Sequence, residues 1–303
     1  MSKFLNIKIF ISLFFLFFFF CFNFTDVKAE TYPACSPTYT NASGEINLGA
    51  VPGDSVCMTE AAAYELTIYE VHLCTSAPTA PTAASAIVKP NCVLVFQNSA
   101  GSTVSLSAAG SESLVGETFK PPAGNYTHAY IKLDNVIGIT GKVNFSDKAY
   151  DGQASQGSGT TCVTRSTAQE NLTRSTFPQN TSLCGNSDIT AGKKLIQLQS
   201  LSCCDGFVAT DSTTDTNING SGQSGHPSIV DSNGLLITSE AQAEIIDYIV
   251  TFGRTIVISD NLTNLNLSFN VSSTLEVNNY SNDFILFMFG PPQIIVETTH
   301  SSS

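Results

Sequence analysis

The chain lacks tryptophan and has few charged residues, with positive charge especially scarce. Charged residues make up 13% of the 303 positions, and 25 acidic side chains stand against 13 basic ones, for a net charge of −12. Such an acidic excess repels phosphate backbones, which argues against nucleic-acid binding. The chain also lacks the polybasic clusters that hold proteins to anionic lipid. Its composition instead favours solubility and attracts divalent cations.

The common catalytic sequence patterns are also missing. The sequence contains no H-x-x-H or H-E-x-x-H pair and no C-x2-C knuckle, which removes the usual zinc patterns. Residues 192–194, Gly-Lys-Lys, lack the flanking residues of a phosphate-binding loop. Residues 222–227 are similar to the nucleophile stretch of chymotrypsin-like proteases, but no histidine stands in the sequence context that would supply the base for Ser224. We therefore predict that Ser224 lies in a flexible Gly/Ser loop and that the protein is not an enzyme.

One long apolar run is present, at the N-terminus. Met1-Ser2-Lys3 precedes an apolar segment over residues 4–24, and Val27-Lys28-Ala29 offers a small-residue cleavage site before Glu30. A basic start, a short apolar core and such a site are typical of a secretory signal peptide. The sequence thus predicts a signal peptide at residues 1–29 and a mature chain without a transmembrane segment. The mature chain is expected in the periplasm, at the cell surface or outside the cell.

The cysteine content fits an exported protein. Cys21 falls in the signal, and eight cysteines remain: Cys35, Cys57, Cys74, Cys92, Cys162, Cys184, Cys203 and Cys204. An even number in an exported chain indicates a disulfide framework. Proximity in sequence suggests Cys35 with Cys57 and Cys74 with Cys92, whereas Cys162 has Cys184 and the 203/204 pair as candidate partners. A bond between Cys203 and Cys204 themselves would be strained, so each is expected to pair elsewhere.

Three regions of the mature chain differ in composition. Residues 30–147 and 236–300 alternate apolar and polar residues as β-strands do, whereas residues 148–235 are rich in Gly, Ser, Thr, Asp and Asn. The sequence predicts an all-β fold, namely a disulfide-stapled antiparallel β-sandwich formed by the first and third regions. Residues 148–235 are predicted to be a loop-rich, cysteine-containing insert.

Local patterns predict several elements within this plan. Residues 64–73 form a long strand candidate whose apolar positions change phase, which predicts a bulge or burial on both faces. Residues 75–90 form a Pro/Ala/Thr loop between Cys74 and Cys92. Residues 239–242 match a capping box and predict a short helical turn before a strand. Residues 252–254 resemble a hairpin turn, and the apolar residues 284–289 are interpreted as a buried last strand.

Two segments resemble prealbumin-like β-sandwich modules. The strand at residues 64–73 and the Pro-Ala-Gly-x-Tyr turn at residues 122–126, with the strand through Leu133 and Asp134, are similar to a family of exported bacterial domains of unknown function. Residues 249–271 resemble the closing hairpin of that family. The resemblance implies a prealbumin-like or Ig-like sandwich and a cell-envelope location, and it implies no established chemistry.

Residues 215–220 match the first half of an EF-hand calcium loop. Positions 1, 3 and 5 of such a loop are Asp215, Asn217 and Asn219. Position 12, where a bidentate Glu is typical, is His226, so Asp211 or Asp231 would have to complete the ligand set. The alternative is an Asx-rich turn that bonds to its own backbone. Calcium is therefore the one cofactor that the sequence suggests.

The functional hypotheses follow from these patterns. The leading one is an exported cell-envelope or extracellular module that binds a ligand or surface partner through loops at one end of the sandwich. A self-assembling structural or adhesive subunit is the alternative, with residues 284–289 as an uncovered apolar edge. A secreted hydrolase is the third. His72 and His128 are expected on polar strand faces, and His300 in a frayed tail.

Overall fold

A computed structural model of the chain describes residues 33–48, 50–51, 55–107, 114–151, 157–166, 170–172, 182–186, 189–199, 215–218, 222–281, 284–290 and 292–301. The predicted signal peptide, Cys203, Cys204 and Asn219 lie outside these residues. The described residues contain no α-helix, and none of their segments is a helix with the length and apolar character needed to cross a membrane.

The described residues form 18 β-strands and one short 3-10 helix. In chain order the strands are β1 (Ser55–Thr59), β2 (Ala63–Cys74), β3 (Cys92–Leu106), β4 (Glu117–Thr118), β5 (Gly124–Asp134), β6 (Val136–Thr140), β7 (Lys142–Asp151), β8 (Ser158–Thr164), β9 (Glu170–Leu172), β10 (Ser182–Gly185), β11 (Lys194–Leu198), β12 (Asp215–Ile218), β13 (Gln223–Val230), β14 (Ile245–Ile258), β15 (Leu262–Asn270), β16 (Leu275–Ser281), β17 (Phe284–Phe289) and β18 (Gln293–His300). The 3-10 helix, Glu240–Gln242, lies between β13 and β14.

The strands form three sheets. The first has the order β1-β16-β17-β7-β8-β10, and the third is the pair β15-β18. The second has the order β12-β13-β14-β5-β2-β6-β11-β9, with β3 and β4 added beside β2. Pairing is antiparallel except between β17 and β7 and between β11 and β9. The predicted all-β, mainly antiparallel fold is confirmed.

The second sheet divides into two arms at Asn135. Strands β5 and β6 are separated by this residue alone, and both pair with the same edge of β2. Beyond it, β5 pairs with β14 and β6 with β11. The buried Asn135 side chain joins the arms, since its Nδ2 donates to the carbonyl oxygens of Leu198 at 3.1 Å and Ala243 at 2.9 Å. The Asn135 amide thus satisfies two backbone acceptors at the point where β5 and β6 diverge to different neighbouring strands.

A single hydrophobic cluster draws side chains from all three sheets. Tyr64 of the second sheet, Phe287 of the first and Phe269 of the third all belong to it and are buried. Tyr64 also donates its hydroxyl to the carbonyl oxygen of Gly290 at 3.0 Å, just after β17. The sheets therefore share one core rather than three separate ones.

The described residues form three disulfides: Cys35–Cys57, Cys74–Cys92 and Cys162–Cys184. The first two pairings are confirmed as predicted, and Cys162 takes the nearest of its candidate partners. Cys74 lies opposite Cys92 across β2 and β3, and Cys162 lies opposite Cys184 across β8 and β10. These bonds are consistent with an oxidising, exported compartment.

Two local predictions are confirmed in detail. The change of apolar phase in β2 is a bulge, because its pairing with both β3 and β5 shifts register between Ile68 and Glu70. Val71 and Leu73 consequently return to the core on which Leu66 and Ile68 pack. The capping segment forms the short helical turn, in which Gln242 Oε1 accepts a hydrogen bond from Ser239 N at 3.1 Å.

Several other predictions are wrong. Residues 252–254 form no hairpin turn, because β14 continues through them with a register shift against β5 between Thr251 and Ile256. Residues 249–271 form no closing hairpin, because β14 and β15 belong to different sheets. Strand β17 is buried as expected, but it lies between β16 and β7 and is followed by β18, so it is neither last nor an edge.

The Gly/Ser-rich middle region also differs from expectation where it is described. Strands β8 and β10 extend the first sheet, and β11 and β13 extend the second. Ser224 lies on β13 rather than in a flexible loop, because β13 pairs with β14 over seven successive residues. Gly225 fits closely here, since a Cβ added to it would lie 1.9 Å from the Tyr248 hydroxyl.

Candidate functional site

Residues 75–91, named loop A here, connect β2 to β3 over one face of the second sheet. The Cys74–Cys92 disulfide closes the base of loop A. Within it, Thr79 and Val88 exchange backbone hydrogen bonds at 2.8 and 3.1 Å, and Thr82 and Ser85 form a further bridge. Pro78 and Pro81 are buried, whereas residues 82–86 are exposed. Loop A is therefore a short internal ladder that presents an exposed tip.

A group of polar side chains beneath loop A, named the anchor cluster, comprises Glu70, His72, Lys89, Tyr130 and Asp247. Register explains how strands β2, β5 and β14 bring them together. Glu70 and Asp247 both lie opposite Lys132, and His72 lies opposite Tyr130, so these side chains share one sheet face. Lys89 enters this cluster from loop A.

The members of the anchor cluster contact one another closely. His72 Nε2 lies 2.9 Å from Glu70 Oε2, and Lys89 Nζ donates to the same oxygen at 3.1 Å. Lys89 Nζ also lies 4.1 Å from the centre of the Tyr130 ring, a cation–π distance. The Tyr130 hydroxyl donates to Asp247 Oδ1 at 2.7 Å. Lys89 thus holds loop A to β2 and β5, and Tyr130 extends the cluster to β14.

The electrostatics of the cluster differ between its two carboxylates. The hydrogen bond from His72, with Lys89 beside it, lowers the pKa of Glu70 to about 2. Asp247 is buried, and burial raises its pKa above the usual value, although the Tyr130 hydrogen bond and the charge of Lys132 act against this. Burial likewise raises the pKa of Tyr130, so the phenol remains a proton donor. The surroundings of Glu70 favour its charged form, whereas those of Asp247 disfavour the charged carboxylate.

This arrangement suits anchoring better than catalysis. Glu70, His72 and Lys89 engage one another, and Tyr130 engages Asp247, so the groups that would move protons already have partners. His72 is 8% exposed and its ring packs 5.3 Å from that of Tyr130. The cluster therefore fixes the stem of loop A on the sheet.

A second loop, residues 231–244, packs beside the tip of loop A. Leu236 N donates to the carbonyl oxygen of Thr82 at 3.0 Å. Gly234 has a positive φ of 75°, and a Cβ added there would lie 3.4 Å from Ala86 Cβ. Residues 82–86 and 232–236 together are named the paired-loop surface. It carries exposed hydroxyl and amide side chains among small alanines, and loop A is held at its base, stem and tip.

The candidate calcium ligands are only partly described. The backbone of Asp215 and Asn217 belongs to β12, which pairs with β13, and the side chains of both lie outside the described residues together with all of Asn219. His226 lies on β13 opposite Ile249. In the described part of the chain, no group of three or more His, Cys, Asp or Glu side chains is placed to hold a metal. Calcium binding stays a prediction.

The histidines are placed on strands. His72 and His128 lie on neighbouring strands of the same sheet, with His128 opposite Cys74, two positions from His72. Burial lowers the pKa of His128, whose Nδ1 lies 2.8 Å from Thr127 Oγ1. His300 is not in a frayed tail as predicted, because it ends β18 opposite Leu262 and contacts Ser259 Oγ at 2.7 Å.

The sequence contained one signal for the anchor cluster, which is the alternation of Glu70 and His72 on a predicted strand. Lys89, Tyr130 and Asp247 are distant in sequence and belong to no motif. Their convergence depends on the pairing of β5 with both β2 and β14.

Comparison with known proteins finds no matching family model, and neither a curated protein nor a solved structure that is significantly similar to the chain. The resemblance to prealbumin-like modules therefore rests on its sequence segments alone.

Proposed function

We propose that the protein is an exported, non-catalytic binding module that presents a fixed loop surface on a β-sandwich of prealbumin-like or Ig-like type. The shared core of the three sheets supports the sandwich, and the three disulfides support export. The observation that carries the binding function is the fixation of loop A at its base, stem and tip. A loop ordered in advance loses little entropy when it binds.

The paired-loop surface favours an uncharged ligand with many hydroxyl groups, such as an oligosaccharide. Its exposed side chains include Thr82, Ser85 and Asn233. The neighbouring charges are engaged, since Lys89 pairs with Glu70 and the Asp231 carboxylate accepts the backbone N–H groups of Asn233 and Leu235 at 2.9 Å each. Hydroxyl and amide groups on a rigid loop bind such ligands through directional hydrogen bonds.

A glycan array probed with the labelled chain tests this function. We expect binding to a restricted set of glycans, with Ser85→Ala and Asn233→Ala each weakening it. Ser272→Ala is the matched control, because Ser272 is an exposed hydroxyl in the turn between β15 and β16. Absence of glycan binding, or equal loss in all three variants, would contradict the proposal.

The self-assembly hypothesis depended on residues 284–289 as an uncovered edge strand, and these residues are not at a sheet edge. Strand β17 lies inside the first sheet, and Ile285, Leu286 and Phe287 are buried. We therefore retain the binding module as the proposed function and test association between copies below.

A further inference from the structure

The outer edge of β18 presents backbone groups on the side away from β15. Among the described strands, β18 pairs with β15 alone, and Ile294 lies opposite Phe269. The N–H and C=O groups of successive residues in an antiparallel strand point to opposite sides. Those of Ile294 point away from β15, toward Gln223, so those of Val296 and Thr298 point to the same outer side. The outer edge of β18 therefore extends past the two hydrogen bonds between Ile294 and Gln223.

Gln223 shows how the edge is used within the protein. Ile294 N donates to Gln223 Oε1 at 3.1 Å, and Gln223 Nε2 donates to the Ile294 carbonyl oxygen at 2.5 Å. The side chain of Gln223 is buried. Its amide thus makes the pair of hydrogen bonds that one residue of a neighbouring strand would make.

A cavity of about 270 Å³ lies beside the hydrogen-bonded pair Gln223 and Ile294. Phe252 and Ile256 line it from β14, and Ile294 and Val296 line it from β18. The β14 segment concerned is the one that loses register with β5 after Thr251. A cavity of this size admits the end of an extended peptide rather than a folded partner.

Arg254 gives the cavity a positive charge. It lines the cavity, is exposed, and forms no ion pair with any described residue. Glu297, the acidic residue of β18, is engaged toward β15 through Asn266 Nδ2 at 3.3 Å. In a chain with a net charge of −12, Arg254 marks a local position where a carboxylate is favoured. The guanidinium fork binds carboxylates in a bidentate manner.

We propose that this edge binds the C-terminal segment of a partner polypeptide, which adds as a strand beside Val296 and Thr298 and places its terminal carboxylate on Arg254. Strand addition supplies backbone hydrogen bonds that are independent of sequence. Phe252 and Ile256 favour an apolar last side chain. This site is separate from the paired-loop surface, so either can fail without the other.

Two synthetic peptides test the proposal on the purified chain: acetyl-TVTVI with a free C-terminal carboxylate, and the same peptide as an amide. We expect fluorescence polarisation to show binding of the acid, with the amide weaker by about ten-fold, since charge-assisted hydrogen bonds are lost. Hydrogen exchange is expected to slow at the amides of Val296 and Thr298. Equal binding of acid and amide, no binding of either, or slowed exchange confined to loop A would overturn the proposal.

Two variants test the named groups separately. Arg254→Gln changes an exposed side chain and is expected to remove the preference for the acid, whereas Arg254→Lys retains part of it. Val296→Pro removes one outward N–H without removing a bond to β15, and is expected to abolish binding of both peptides. Ser85→Ala is the control and should leave peptide binding unchanged. If light scattering shows a dimer that Val296→Pro dissociates, the edge serves a second copy of the chain and the peptide proposal is wrong.

Discussion

At the scale of single residues, Glu70 and Asp247 show that two carboxylates on one sheet face can act on stability in opposite directions. Glu70 receives hydrogen bonds from His72 and Lys89, which favour its charged form. Asp247 is buried with one donor, Tyr130, and its charged form is disfavoured. The difference lies in the number of donors that replace water around each carboxylate.

The lowered pKa of Glu70 predicts a pH-dependent contribution to folding. Because the folded pKa, about 2, lies below the ordinary 4.5, this stabilisation is present above 4.5 and is lost as the pH falls toward 2. Glu70→Gln is expected to lower the free energy of unfolding by about 1–2 kcal/mol at pH 7 and by almost nothing near pH 2. Urea unfolding at several pH values measures this. Glu65→Gln is the control, since Glu65 pairs with the half-exposed Lys193 and should have a small effect at every pH.

The raised pKa of Asp247 predicts a pH dependence of folding stability opposite to that of Glu70. Its folded pKa lies above the unfolded value, so its contribution favours folding at low pH and is lost as the pH rises through the folded pKa. Asp247→Asn removes the charge and retains an oxygen that accepts from Tyr130, so we expect this variant to be at least as stable as the wild type at pH 7. Tyr130→Phe leaves Asp247 without its donor and should cost about 1–3 kcal/mol. A large loss of stability in Asp247→Asn would contradict this account.

At the scale of elements, loop A depends on its disulfide as well as on the anchor cluster. Replacing Cys74 and Cys92 by alanine is expected to lower the free energy of unfolding by about 3 kcal/mol, because the unfolded chain regains the freedom of the closed loop. Limited proteolysis should then cleave within residues 75–91. Removal of the Cys35–Cys57 bond should cost a similar amount of stability without exposing loop A. Cleavage of loop A in both variants would show that the anchor cluster does not hold it locally.

The division of the second sheet gives a further element-scale prediction. Asn135→Ala removes the donor for two carbonyl groups, those of Leu198 and Ala243, and should cost about 2–4 kcal/mol. Hydrogen exchange should rise first at the end of β11 and the start of β14. Asn233→Ala, in an exposed turn, is the comparison and should change stability by less than about 0.5 kcal/mol. Equal effects of both substitutions would contradict the assigned role of Asn135.

At the scale of the whole molecule, the three disulfides among the described residues act together with one shared core. Each bond closes a loop of about 20 residues, so the set contributes an amount comparable with the total stability of a typical domain. Full reduction is therefore expected to unfold the protein at 37 °C. Circular dichroism after reduction and alkylation measures this, with the oxidised protein as control. Native spectra with all thiols alkylated would show that the core suffices alone.

Sequence patterns predicted the strands with regular alternation, because a strand with one buried face imposes a period of two on its own residues. The β2 bulge and the turn at Gln242 were predictable for the same reason, since each depends on residues close in sequence. Strand β13 was missed because its Gly, Ser and Pro residues have low strand propensity, and its pairing with β14 overrides that propensity.

Taken by itself, the amino-acid sequence determined the all-β class through local periodicity, and it suggested the two disulfides that join neighbouring cysteines through short loop closure. The tertiary structure alone decided that β14 runs on through residues 252–254, that β17 is interior, and that Lys89, Tyr130 and Asp247 meet beneath loop A. It also placed Gln223 against Ile294. These contacts join residues far apart in the chain, and their register depends on how the apolar faces of three sheets fill one core.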